Sequence, residues 1–224
     1  MSLVLFIFGM ISLVFYIPEK LRGYTVRAVL MKSVVSLFFV AVAVSAGSTA
    51  VLAPFIILGL VFGLLGDIWL DLKYVFPSYD RIFTYAGFSV FGIGHVLYCT
   101  GLLMQYGTGR YLIGSFILAA VTAGAVLLME KMMKLSYGKM KPVVIIYSFL
   151  LFSTVYISGG LLYVKREPAL WFIFIGSAFF AISDLILSGT YFGNGKKRPI
   201  DIISNYLFYY IGQFLIAYGL TFVK

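Results

Sequence analysis

Gly63-Leu64-Leu65-Gly66-Asp67-Ile68-Trp69-Leu70-Asp71 closes a long apolar run that begins near Ala50. The run is long enough to cross a bilayer as a helix, which takes roughly 17–25 predominantly apolar residues. Asp67 then lies inside a membrane helix, about one turn from its end, and Asp71 stands at the boundary. A carboxylate at that depth is costly unless it is neutral, hydrated or paired, so it marks a functional site by default. Asp71 has a plainer reading, as an interfacial residue near Lys73.

The rest of the chain has the same character. Of its 224 residues 62% are hydrophobic and 11% charged, against about 45–50% apolar and about 25% charged in a soluble domain. Eight apolar runs are long enough to span: residues 2–17, 27–46, 50–70, 83–106, 111–130, 142–163, 169–188 and 201–222. They are continuous rather than alternating, which excludes the strands of a membrane barrel. The expected fold is therefore all-α, a polytopic membrane bundle of eight transmembrane helices in one domain over residues 1–224. Pro142 and Pro168 stand at helix starts, where a missing N–H costs little. Gly193 to Pro199 is the clearest loop. The first run has no basic segment before it and no small-residue cleavage site after it, and reads as a retained span. Interface belts explain many of the 17 Tyr.

Net charge is +9, and its placement answers to topology rather than to nucleic acid. The odd-numbered connections, with Lys32 just inside the second span, hold Lys20, Arg22, Arg27, Lys32, Lys73, Arg81, Lys131, Lys134, Lys139, Lys141, Lys196, Lys197 and Arg198, 13 of the 17 Lys and Arg. The positive-inside rule puts those connections in the cytoplasm and both termini outside. A bacterial inner membrane is the preferred setting, although the endoplasmic reticulum fits the same topology. One Cys and one His exclude an intrachain disulfide and a multi-histidine zinc site. No metal or other cofactor is expected.

An internal similarity points to partners for Asp67. Gly66-Asp67-Ile68-Trp69-Leu70 and Ser183-Asp184-Leu185-Ile186-Leu187 both read small-Asp-aliphatic-x-Leu. Ile93-Gly94-His95-Val96-Leu97 parallels Ile211-Gly212-Gln213-Phe214-Leu215 in the spans that follow. The offsets are 117 for the Asp pair and 118 for the His/Gln pair. Two four-helix halves, 1–110 and 111–224, would place a site at their interface. Asp67 and Asp184 then sit at similar depth towards the cytoplasm, with His95 and Gln213 on the returning helices, about 15 Å in from that side. Tyr209 or Tyr210 can share the face of Gln213, and Tyr98 that of His95. Asn205 is polar at a depth near Asp184, as a site contact or a cap near Asp201 and Ser204. His95 is expected to hydrogen-bond an aspartate or a water, or else to tie two helices. The glycines around Asp67 and His95 read as close-packing positions. Lys196-Lys197-Arg198 reads as a topology determinant that can also attract a phosphate.

Gly66-Asp67, His95 with Tyr98, Ser183-Asp184 and Tyr209-Tyr210-x-x-Gln213, in this order within apolar helices, resemble the YhhN-like lysoplasmalogenase family of eight-span membrane proteins. The resemblance runs from the second span to the eighth, and Gly212 departs from the small residue, Ala, found more often before that Gln. It implies hydrolysis of the vinyl-ether bond of lysoplasmalogen, to a fatty aldehyde and a glycerophospho-alcohol, with Asp67 and Asp184 doing acid/base work. The expected partners are a lysophospholipid substrate and the bilayer, and no nucleic acid. The chemistry suits two carboxylates: one protonates the β-carbon of the vinyl ether, and the other supports the oxocarbenium ion and activates water. Asp67, with the more uniformly apolar neighbours, is the expected acid. Two alternatives remain from sequence: a proton-coupled transporter using the same aspartates, and a hydrolase of other ether lipids or lysophospholipids.

Overall fold

Local chemistry sets where each helix begins. Thr25 accepts a hydrogen bond from the Ala28 amide and caps α2, and proline stands in the first turn of α6, α7 and α8. The computed structural model describes residues 1–23, 25–193 and 198–223. Among them are eight long helices: α1 (Ser2–Arg22), α2 (Val26–Ser45), α3 (Leu52–Val75), α4 (Asp80–Tyr106), α5 (Tyr111–Met132), α6 (Lys141–Lys165), α7 (Pro168–Phe192) and α8 (Pro199–Gly219). All eight are long and apolar enough to cross a membrane. The chain is thus an all-helical, multi-pass membrane protein. Lys196 and Lys197, to which a topology role was assigned, lie outside the described residues.

Several helices run past the apolar segments that announce them. The most consequential is α3, which continues to Val75. Asp67 is therefore about two turns from the helix end, not one. Asp71 is buried at 2% exposure rather than interfacial.

Helices α2, α3, α4, α6, α7 and α8 surround a central cleft, while α1 packs on α2 and α8 and α5 packs on α6. The packings recur in order: α1 on α2 as α5 on α6, α2 on α3 as α6 on α7, α3 on α4 as α7 on α8, and α4 on α6 as α8 on α2. The closest crossings recur too. A Cβ on Gly94 would come within 3.1 Å of the Gly59 carbonyl oxygen, and one on Gly212 within 2.6 Å of that of Gly176. Gly176 lies 117 residues after Gly59, and Gly212 lies 118 after Gly94. These offsets equal those of the Asp67/Asp184 and His95/Gln213 pairs. The crossings also give the glycines their reason, since only a residue without Cβ lets the backbones approach so closely.

Candidate active site

Asp67 sits in α3 where α2 and α8 cross it, and both neighbours supply donors. Ser36 Oγ donates to Asp67 Oδ2 at 2.6 Å and Tyr209 OH to the same oxygen at 2.8 Å. Lys32 Nζ lies 3.1 Å from Oδ1. Lys32 and Ser36 are one turn apart on α2, so they present one face to the carboxylate. Three donors thus converge on the Asp67 carboxylate, contacts that favour its charged form. Behind them stands a relay. Tyr98 OH donates to Gln213 Oε1 at 3.2 Å, and Gln213 Nε2 donates to Tyr209 OH at 3.3 Å. Tyr98 and Gln213 thus reach Asp67 only through Tyr209. Tyr210 reaches it through Ser36, at 3.1 Å between the two hydroxyls.

Asp184 is treated differently. Its partner is Tyr147 of α6, whose hydroxyl donates to Oδ2. Among the described residues no Lys or Arg forms an ion pair with it. Each aspartate thus takes its partner from the helix that precedes it, α2 or α6, but the first partner is an ammonium and the second a phenol. Asp184 is half-buried where Asp67 is buried.

Both aspartates line one cleft. Lys32, Asn205, Tyr206 and Tyr209 share its polar side, and Leu70, Phe88, Phe91 and Leu187 its apolar side. Asn205 is no helix cap: its Nδ2 donates to the carbonyl of Ser183 at 2.8 Å and to Ser183 Oγ at 2.9 Å, tying α8 to α7 beside Asp184.

His95 does not reach an aspartate. Its Nδ1 is 3.1 Å from Thr154 Oγ1, and Nε2 has no partner among the described residues. Its ring packs on Tyr147 and Phe180, at 5.8 and 4.9 Å between centroids. Of the sequence candidates, then, Asp67, Asp184, Asn205 and Tyr209 meet in the cleft. Tyr98, Tyr210 and Gln213 stand one shell behind, and His95 stands off behind Tyr147.

Asp71 also has an unexpected environment. Lys20 Nζ of α1 is 2.8 Å from Oδ2, Lys32 Nζ is 3.4 Å from Oδ1, and Tyr16 OH donates at 3.3 Å. Lys73 points elsewhere, to Asp80 at 3.8 Å and over the Tyr191 ring at 3.4 Å. Lys20, Asp71, Lys32 and Asp67 form an alternating row of buried charges, each side chain at most 6% exposed. Such a row is neutral as a whole, which is how burial so deep is tolerated. Lys32, counted among the topology charges, is its shared member. The rule that singled out Asp67 applies equally to Lys32; Tyr147 carries no comparable signal among so many tyrosines.

Comparison with known proteins agrees with this picture at the level of the family. No curated protein and no solved structure matches the chain. The YhhN family model matches residues 27–220, from the start of α2 to the end of α8, and the protein belongs to the YhhN family.

Proposed function

We propose that the protein is a membrane lysoplasmalogenase, with Asp184 as the acid and Asp67 as the base. The observation that carries this reading is the pair of carboxylates in one cleft with unlike partners. Asp67 faces an ammonium and two hydroxyls, the surroundings that suit a carboxylate acting as base. Among the described residues Asp184 has a phenol and no cation as partner, the surroundings that suit a carboxylic acid able to give a proton. This reverses the expectation from sequence, which weighed the apolar chain neighbours of Asp67 and not the Lys32 and Ser36 that the preceding helix, α2, brings to it.

The steps follow. Tyr147 occupies Asp184 Oδ2, so the proton is on Oδ1 and passes to the β-carbon of the vinyl ether, forming a C–H bond. The positive charge is shared by the α-carbon and the ether oxygen, facing the Asp67 carboxylate. Asp67 removes a proton from water as the water oxygen bonds the α-carbon. The hemiacetal then collapses. The bond from the α-carbon to the glycerol oxygen breaks, that oxygen takes the proton from Asp67, and the hemiacetal hydroxyl returns one to Asp184. The products are a fatty aldehyde and the glycerophospho-alcohol, and both aspartates regain their starting state. Two carboxylates with divided roles are how glycosidases treat another oxocarbenium-forming bond.

A transporter would be favoured by a helix broken at mid-membrane. Helix α6 runs unbroken through Gly159-Gly160, and α3 and α7 are continuous past their aspartates, which favours a fixed cleft.

The test uses purified protein in detergent with a lysoplasmalogen, its saturated alkyl-ether analogue and its ester analogue. Aldehyde from the first alone is expected. Turnover of the ester alone would assign the scaffold to a different lipid hydrolase.

A further inference from the structure

A second, narrow cavity adjoins the cleft, and Asp184 and Tyr147 line both. Its other walls are nearly all hydrocarbon. Val144, Ser148, Leu151 and Phe152 present one face of α6, spaced by three and four residues as a helix face requires. Leu185 and Ser188 face them from α7, and Val126 closes the side from α5. Near one end, the Tyr137 hydroxyl donates to the carbonyl of Val126 at 3.3 Å and lies 3.3 Å from Ser188 Oγ. Leu185 also borders a wider groove that includes Met129, Met133 and Ile186. The two halves of the bundle differ here. Asp71, 117 residues before Ser188, carries the Lys20–Lys32 ion pairs, where Ser188 borders open apolar space.

We propose that this cavity holds the hydrocarbon chain of a single-chain lipid, and that the glycerophosphate end lies in the cleft on the side of Lys32, Asn205 and Tyr206. This inference rests on the vinyl-ether reading for its register. In a vinyl ether the carbon that takes the proton is the second carbon of the chain itself. The acid must therefore stand where chain ends and ether begins. Asp184 is at the junction of an apolar cavity and a polar one, which sets the chain towards Leu151 and the glycerol oxygen towards Asp67. The phosphate then approaches the end of the cleft where Lys32 and Lys20 flank the Tyr206 ring, at 5.4 and 6.0 Å from its centroid.

The experiment is photolabelling of the purified protein in detergent with a saturated lysophosphatidylcholine that carries a diazirine midway along its chain. Mapping by mass spectrometry is expected to place the label on residues 144–152 and 185–192. An excess of unlabelled lysophosphatidylcholine should suppress it, and so should Ser148→Trp, which fills the cavity. Label that stays on the lipid-facing side chains of other helices, or that neither competitor nor Ser148→Trp removes, overturns the proposal. Because the probe has no vinyl ether, this result stands whether or not the protein cleaves one. If wild-type protein does release aldehyde, the milder Ser148→Leu should lower the ratio of kcat/KM for a hexadecenyl over a butenyl chain about tenfold, the scale of one overpacked contact. An unchanged ratio in a monodisperse, folded variant counts against the chain site even where the hydrolase reading survives.

Discussion

At the scale of single residues, two aspartates of like sequence context are made unlike by what the preceding helix brings to each. Hydrogen bonds to a charged group contribute about 1.5–3 kcal/mol. Ser36→Ala and Tyr209→Phe should therefore each lower kcat by about tenfold or more, by loosening Asp67 without removing it. Aldehyde release by variants that keep the wild-type elution profile is the check. Tyr147→Phe should also slow the reaction, because Asp184 loses the group that fixes which oxygen carries the proton. Asp67, Asp184 and Asn205 were legible in the sequence because polar groups stand out in apolar runs. Tyr209 was legible because it lies one turn from Gln213. Ser36 and Tyr147 were not. Which residue of a neighbouring helix meets a carboxylate depends on helix rotation and crossing, and neither is written in the local pattern. His95 stood out for the same reason as the aspartates, yet it bonds Thr154; rarity marks a residue without saying what it faces.

At the scale of helices, the existence of all eight was readable from apolar length alone, but their ends were not. Helix α3 carries four further residues beyond Asp71 because Leu72, Lys73, Tyr74 and Val75 continue the helix after the apolar run has ended. Asp71, a full turn inside that end, is covered by Tyr16 and Lys20 of α1 and Lys32 of α2. The glycine crossings make a graded prediction. A Cβ at Gly212 meets backbone on α7, the Gly176 carbonyl oxygen at 2.6 Å and the Phe180 nitrogen at 3.0 Å, while at Gly94 the nearest atom is 3.1 Å away. Gly212→Ala should destabilise by more than Gly94→Ala, towards the upper end of the roughly 1–3 kcal/mol that overpacking costs. Thermal midpoints of the two variants in the same detergent, read by size-exclusion after heating, compare them directly. A larger loss for Gly94→Ala would mean that the α7–α8 crossing is not the tighter of the two.

At the scale of the molecule, the segment that matches the family begins at residue 27 and leaves out α1. Yet α1 supplies Tyr16 and Lys20 to the buried charge row. Removing one member of a buried pair is strongly destabilising, about 3–5 kcal/mol, because the other charge is left uncompensated. Lys20→Met should thus lower stability sharply, and Asp71→Asn added to it should recover part of the loss, a coupling that a double-mutant cycle in thermal stability reads out. Additive losses would show that the pair does not act as a unit. The central claim, however, concerns the two carboxylates of the cleft. The most direct test is single-turnover aldehyde release from lysoplasmalogen by purified wild type, Asp67→Asn and Asp184→Asn. Both variants should fold and bind substrate but lose about a hundredfold to ten-thousandfold in rate, the contribution of general acid–base catalysis. Near wild-type release by either variant would contradict the two-aspartate account.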